Sequence, residues 1–404
     1  MNAPARQWSG DETLLSHAHA HQERYLADLA ALVAVDSGSH SADGVDRVAD
    51  LVGARLTLLG FDVERVPLPP AHGHRVGDAL VGRRQGRLAV ADGGRRILLA
   101  AHMDTVFDDG AAAERPFTVE GSLAHGPGVS DDKGGLVAGL AAVEILNRAG
   151  REDYAELVFL ATPDEEIGSP VSRPLTRRAA EGAHYALALE CARENGDLVI
   201  ARKGVADFRI AVTGRAAHAG IEPERGANAA LAAAHLVVAV QALNGRWDGV
   251  TVNVGVVRAG SRFNIVCPAA ELLVEVRSAT DDGMREAVAA LRAIAARPAV
   301  PGTGAEVEEL DSCPPMEDTD ASRRMLGRAR DIGARLGLAF GAAATGGVGD
   351  ANTIAGCGVP TLDGLGPVGG ADHTPEEWLD TASVPGRVAL LAELIADLGD
   401  SRGD

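Results

Sequence analysis

Cysteine is scarce in this chain, with four in 404 residues, at Cys191, Cys267, Cys313 and Cys357. No two form a C-x-x-C pair, which argues against a thiolate zinc site and a disulfide framework and leaves four reduced thiols. Positive charge is also short: 38 Lys and Arg against 57 Asp and Glu give a net charge of −19. Such a surface repels nucleic acid and anionic membranes, so no nucleic-acid or membrane partner is expected and a small-molecule substrate is. No apolar run reaches the length of a bilayer span. The opening "MNAPARQWSGDETLLSHAHAHQ" lacks an apolar signal core and carries acids early, so a cytoplasmic, soluble protein is expected. Repeats and low-complexity tracts are missing too.

What is present suffices for two hydrophobic cores: the length exceeds one core's usual limit, and 46% of residues are hydrophobic. Residues 1 to about 12 read as loosely ordered, and Leu14 to Leu32 as a helix. His17 and His21 in that helix share a face at i, i+4, but with His19 they are read as solvated polarity because no carboxylate is close in sequence. Three later segments, "RRILLAAHMD", "AELVFLATPDEE" and "HYALALE", are short apolar runs that stop abruptly in acids or imidazole. Runs of this kind are strands covered on both faces. Between the first two, Gly134 to Gly150 reads as a helix ended by glycine. This is β-α-β grammar with a largely parallel sheet, and such sheets keep ligand sites beyond the carboxyl ends of their strands. His102 and Asp104 fall there.

Near residue 203 the pattern changes to alternating, half-exposed strands mixed with two helices, a compact α+β unit. The expected division is 1–202 for the first part of a catalytic domain, 203–314 for an inserted domain, and 315–404 for completion of the first. At the strand ends the candidate ligands are His102, Asp131, Glu165 and Glu166, Glu190 and His373. Carboxylates mixed with imidazoles suit zinc, cobalt or manganese, and more acids than one tetrahedral shell needs suggest two ions. Any one such residue is more often an ordinary polar group, but several at consecutive strand ends are not.

"HMDTV", "GPGVSDDKGG", "DEEIGS", the Glu of "ALALE" and "DHTPEEW", in this order over nearly the whole chain, resemble the M20 metallopeptidase family of glutamate carboxypeptidases, acetylornithine deacetylases and succinyl-diaminopimelate desuccinylases. The resemblance implies a zinc-exopeptidase-like α/β domain with a mostly parallel sheet, interrupted by an α+β lid and dimerisation domain, in a homodimer. It implies that Asp131 bridges two divalent ions, most often zinc, that His102 and Glu190 complete one site, and that Glu166 and His373 complete the other. Asp104 would hold the far nitrogen of His102, and Glu165 would be the general base that moves a proton from the attacking water to the leaving amine. The Asp131–Asp132 peptide would be cis. His218 in "GRAAHAG" would reach the partner subunit's site and polarise the scissile carbonyl, and Asn264 in "SRFNIVCP" would contact the substrate carboxylate. A Glu at 190 accompanies carboxypeptidases and deacylases in this family, and Asp accompanies aminopeptidases.

Two other readings compete with amide hydrolysis of the carboxypeptidase or deacylase kind. Ser130 to Lys133 matches S-x-x-K, but the companion triplets of that serine-hydrolase class are missing. A non-catalytic, metal-binding relative would have lost a ligand or the base, and none is lost. One departure concerns specificity: Cys313-Pro314-Pro315 stands where many relatives carry an arginine that clamps the substrate carboxylate, and Arg262 or Arg277 could replace it.

Overall fold

The three apolar runs that end in acid or imidazole lie side by side as parallel strands. In the computed structural model, which describes residues 13–297 and 299–400, they belong to a six-stranded sheet. The loose start expected at residues 1 to about 12 lies outside the described residues. The strands are β1 (Asp62–Val66), β2 (Ala79–Gln85), β3 (Arg96–His102), β4 (Glu156–Thr162) and β5 (Tyr185–Ala188), with the short strand Thr361–Leu362 at one edge. Their order is β1-β2-β4-β3-β5-Thr361–Leu362; the last four are mutually parallel, while β1 and β2 run antiparallel at the other side. His102 pairs with Thr162, so β3 and β4 end level with one another.

β3 shows why the run is continuously apolar. Ile97, Leu99 and Ala101 point into one core and Leu98 and Ala100 into another, as the two-residue strand period requires. On the first face lie helix α1 (Leu14–Val33), helix α2 (Lys133–Ala149) and the helix Val384–Gly399, packed on one another. On the second, Leu175, Ala179 and Ile354 from the short helices Arg173–Ala180 and Asp350–Gly356 close the layer. Truncating a buried leucine in such a layer costs roughly 2–5 kcal/mol. Helix α2 begins where Gly135 lets the backbone close in. A Cβ there would sit 2.0 Å from both the Asp132 carboxylate and the Leu189 carbonyl.

The histidines of α1 correct the sequence reading. His17 and His21 are buried, 5% and 4% exposed, and only His19 faces solvent. The His21 ring lies 3.8 Å from the Glu144 carboxylate of α2, an acid far away in sequence that helix packing brings close. Burial, partly opposed by Glu144, holds the His21 pKa below its ordinary value.

The sheet and its helices form one compact unit, made of the described residues up to Ile200 with Asp318–Ala344 and the chain from Gly349 on. The second unit is Ala201–Glu317 with Thr345–Val348. It holds an antiparallel sheet of β6 (Gly204–Thr213), β7 (Thr251–Ala259), β8 (Ala269–Ser278) and β9 (Gly304–Cys313), in the order β7-β8-β6-β9. Alternate residues of β6 and β8, among them Phe208, Ile210, Leu272 and Val274, form its core with helices α3 (Ala229–Gln241) and α4 (Asp281–Ala295). None of the four cysteines is in a disulfide. No described helix is long and apolar enough to cross a membrane.

Candidate metal centre

The carboxyl end of β3 delivers His102, the loop before α2 delivers Asp131, the turn after β4 delivers Glu165 and Glu166, and the residue two beyond β5 is Glu190. His373 arrives from a loop whose backbone is left-handed at Ala371 and His373, with φ of 55° and 63°. A residue with a Cβ adopts that conformation only at some cost, so the surrounding loop must hold it.

These side chains form two triads that share one carboxylate. His102, Asp131 and Glu190 make one and Asp131, Glu166 and His373 the other, and within each the potential ligand atoms all lie within 4.8 Å of one another. The Asp131 carboxylate faces both ways: Oδ1 is 2.9 Å from His102 Nε2, and Oδ2 is 3.2 Å from His373 Nε2. His102 Nε2 is 3.7 Å from Glu190 Oε1, and His373 Nε2 is 3.1 Å from Glu166 Oε2. The Asp131–Asp132 peptide is cis.

The electrostatics of this cluster call for cations. Burial disfavours the charged form of Asp131, but hydrogen bonds from His102 and His373 outweigh it and hold the carboxyl below its ordinary range. The His373 pKa is raised to about 11 by Asp131 and then Glu166. Burial lowers that of His102, yet Asp104 and Asp131 overcome it and raise it well above normal. At both imidazoles the surrounding acids thus favour positive charge. Neutral imidazole and carboxylate around a divalent ion would satisfy the same charge, and this oxygen-and-nitrogen donor set without thiolate fits zinc, cobalt or manganese.

The supports behind these residues are equally specific. Asp104 is fully buried. Its Oδ1 lies 3.3 Å from His102 Nδ1 and accepts the Glu165 N–H at 3.1 Å, while Oδ2 accepts from Ser39 Oγ at 2.6 Å and the Glu166 N–H at 3.1 Å. The Asp104 carbonyl also meets His102 Nδ1 at 3.0 Å. One side chain therefore fixes an imidazole and the turn carrying the two glutamates. Burial pushes the Glu165 carboxyl well above its ordinary range, with Glu190, Asp350 and Glu166 adding to the push and His102 opposing it.

Sequence reasoning missed three of these supports. Glu377, inside "DHTPEEW", is 1% exposed and accepts the backbone N–H groups of Gly128, Ser130 and Asp131 at 2.9, 2.8 and 3.0 Å. It ties the His373 segment to the loop bearing Asp131. Ser39 and Asp132 were the others; the Asp132 carboxylate accepts the His102 N–H at 3.3 Å. An acid four residues past a His and two past a Pro was the sequence signal for Glu377, and it does not distinguish a support from a ligand. Lys133 of the S-x-x-K match donates to the carbonyls of Val35 and Pro127, at 2.9 and 3.3 Å, and is committed to holding loops.

His218 and Asn264 lie in the second unit, on segments that pair: the Ala219 N–H donates to the Asn264 carbonyl at 3.1 Å, and His218 bridges to Ile265. Arg277 is engaged by both oxygens of Glu275, at 2.9 Å each, and donates to the Gly346 carbonyl at 2.7 Å. Arg262 is exposed.

Comparison with known proteins adds to this geometry. The family model described as peptidase family M20/M25/M40 matches residues 98–397. Carboxypeptidase G2 from Pseudomonas sp. (strain RS-16) is 32% identical over 395 residues, covering 96% of this chain and 92% of its own. Acetylornithine deacetylase from Proteus mirabilis is 28% identical, over 63% of this chain and 65% of its own. Among solved structures, aminopeptidase PepT from Bacillus cereus superposes with a TM-score of 0.74 at 25% identity, covering 93% of this chain and 98% of the other.

Proposed function

This chain belongs to peptidase family M20/M25/M40 and is a hydrolase of that family, and on that premise we propose that it cleaves the amide bond of a small peptide or N-acyl amino acid with two divalent ions, in the manner of a glutamate carboxypeptidase. The observation that carries the reading is the Asp131 carboxylate, whose two oxygens each face a different imidazole within a different triad. His102, Asp131 and Glu190 would hold one ion, and Asp131, Glu166 and His373 the other. Zinc is the favoured ion, with cobalt and manganese able to use the same donors. Bound ions supply Lewis-acid polarisation of the carbonyl and an acidified water.

The chain's own residues do the rest. Glu165 accepts a proton from the attacking water and returns it to the leaving nitrogen, a transfer worth 10²–10⁴-fold in typical cases. Desolvation raises the proton affinity of its carboxyl, and Asp104 accepts its N–H and so fixes the turn it sits on. By family resemblance His218, from the partner protomer of a homodimer, would donate to the developing oxyanion, and Asn264 would bind the substrate's carboxylate. Glu190 rather than Asp favours carboxypeptidase or deacylase action. The broad likeness to carboxypeptidase G2 supports the first, and that to acetylornithine deacetylase keeps the second as the alternative. Arg277 is already held by Glu275, so the exposed Arg262 is the better substitute for the clamp that Cys313 replaces. We place the enzyme in the cytoplasm.

The test is a panel of dipeptides ending in Glu, Asp, Ala or Arg and of N-acyl amino acids, offered to chelator-stripped protein reloaded with zinc, cobalt or manganese. Turnover of N-acyl glutamates that disappears on chelation is expected. Tight metal binding without turnover of any member would favour the non-catalytic reading.

A further inference from the structure

The sheet has two ends, and the proposed reaction uses one of them. At the other end, where the parallel strands begin, lies a cleft of about 760 Å³. Arg95, His184 and Pro360 line it, each the residue just before a strand: β3, β5 and Thr361–Leu362. One wall is a face of the helix Asp320–Leu336, with Arg324, Met325 and Arg328 at helical spacing. Leu398 and Tyr185 complete a partly apolar floor.

The charge of this cleft runs against that of the chain. Arg328 is paired with Asp397 at 2.8 Å. Arg95 and Arg324 have no carboxylate within ion-pair distance among the described residues, and the one acid lining the cleft is the exposed Asp331. His184 accepts the Arg96 N–H at Nδ1, at 3.1 Å, which leaves Nε2 to carry its proton and act as a donor. Burial, then Arg95 and Arg96, hold the pKa of that ring below its ordinary value. In a chain of net charge −19, the half-buried Arg95 and the exposed Arg324, neither in an ion pair among the described residues, stand around one cleft beside an imidazole donor.

We propose that this cleft binds a small organic phosphate, with Arg95 and Arg324 taking the phosphate oxygens and the apolar floor taking the organic part. Guanidinium forks match the oxygens of a phosphate, and a cavity of this volume is within the usual range for small-molecule sites. The site lies outside the residues proposed for hydrolysis and does not depend on that reading.

Isothermal titration of the metal-loaded protein at physiological ionic strength tests it, with adenosine monophosphate, inorganic phosphate, adenosine and sulfate as probes. The expected result is binding of adenosine monophosphate or inorganic phosphate that weakens by about tenfold or more in Arg95→Ser/Arg324→Ser. Sulfate should bind more weakly and adenosine not measurably. Any phosphate held by the metal ions is retained in that double variant, so the loss reports the cleft alone. The proposal is overturned if no phosphate probe binds, if adenosine binds as well as its phosphate, or if parent and double variant bind phosphate equally. Unchanged hydrolysis and unfolding midpoint in the double variant establish that it is folded.

Discussion

Glu377 gives the sharpest test of how the centre is held. Its carboxylate accepts three backbone N–H groups in the loop that carries Asp131, and it is almost wholly out of water. Glu377→Ala leaves those donors without an acceptor. At about 1–3 kcal/mol for each unsatisfied buried group, and with water entering the space, a loss of about 3 kcal/mol or more is expected. Glu377→Gln is a gentler change. Its amide oxygen can replace Oε1 and keep the Ser130 and Asp131 bonds, while its NH₂ group faces the Gly128 N–H and loses one. It also removes a charge whose burial, only partly offset by the three N–H groups, pushes the Glu377 pKa up to about 7. The two effects oppose one another, so a net cost of about 1–2 kcal/mol is expected. Urea unfolding of the chelator-stripped protein measures stability, and competition with a chromophoric chelator measures metal affinity. Both should fall in the order parent, Gln, Ala. The reasoning fails if Ala lies within 1 kcal/mol of parent, or if Gln is as damaging as Ala, since hydrogen-bond acceptance would then not be what Glu377 contributes.

Three further outcomes follow from the proposed reaction. Glu165→Ala should lower kcat by about 10² or more while both ions still bind, and full activity in that variant would remove Glu165 from the proton path. Inactive Glu165→Ala and His218→Ala homodimers, mixed under proven subunit exchange, should regain activity because one hybrid site is intact; no recovery would count against a shared site. A substrate with a free carboxylate should lose its advantage over the carboxamide in Arg262→Ala; a parent with no such preference, which Cys313→Arg then creates, would show that no cation had replaced the clamp.

Much of the site was legible because its residues follow strand ends, and strand ends are marked in sequence where apolar runs break into acid or imidazole. His102, Glu165, Glu166 and Glu190 were found in this way, and family resemblance supplied their separate roles. The edge strand β1 and its neighbour β2 were not read, since "DVERV" and "ALVGRRQ" mix charge with apolar residues instead of forming an unbroken apolar run. The error over His17 and His21 has the same origin as the silence over Glu377. Both depend on a partner distant in sequence, Glu144 in one case and the Gly128 to Asp131 loop in the other, and no local pattern reports which buried polar group meets which.

The centre draws four of its five potential ligands from before the second unit and the fifth, His373, from after it. During synthesis, Glu190 therefore leaves the ribosome about 180 residues ahead of His373, a delay of roughly 10–40 s at ordinary elongation rates. In that interval the triad of His102, Asp131 and Glu190 is encoded and available, while the triad that needs His373 is not. All the donors of one proposed ion site are therefore synthesised before those of the other are complete, and the second unit is made during the wait.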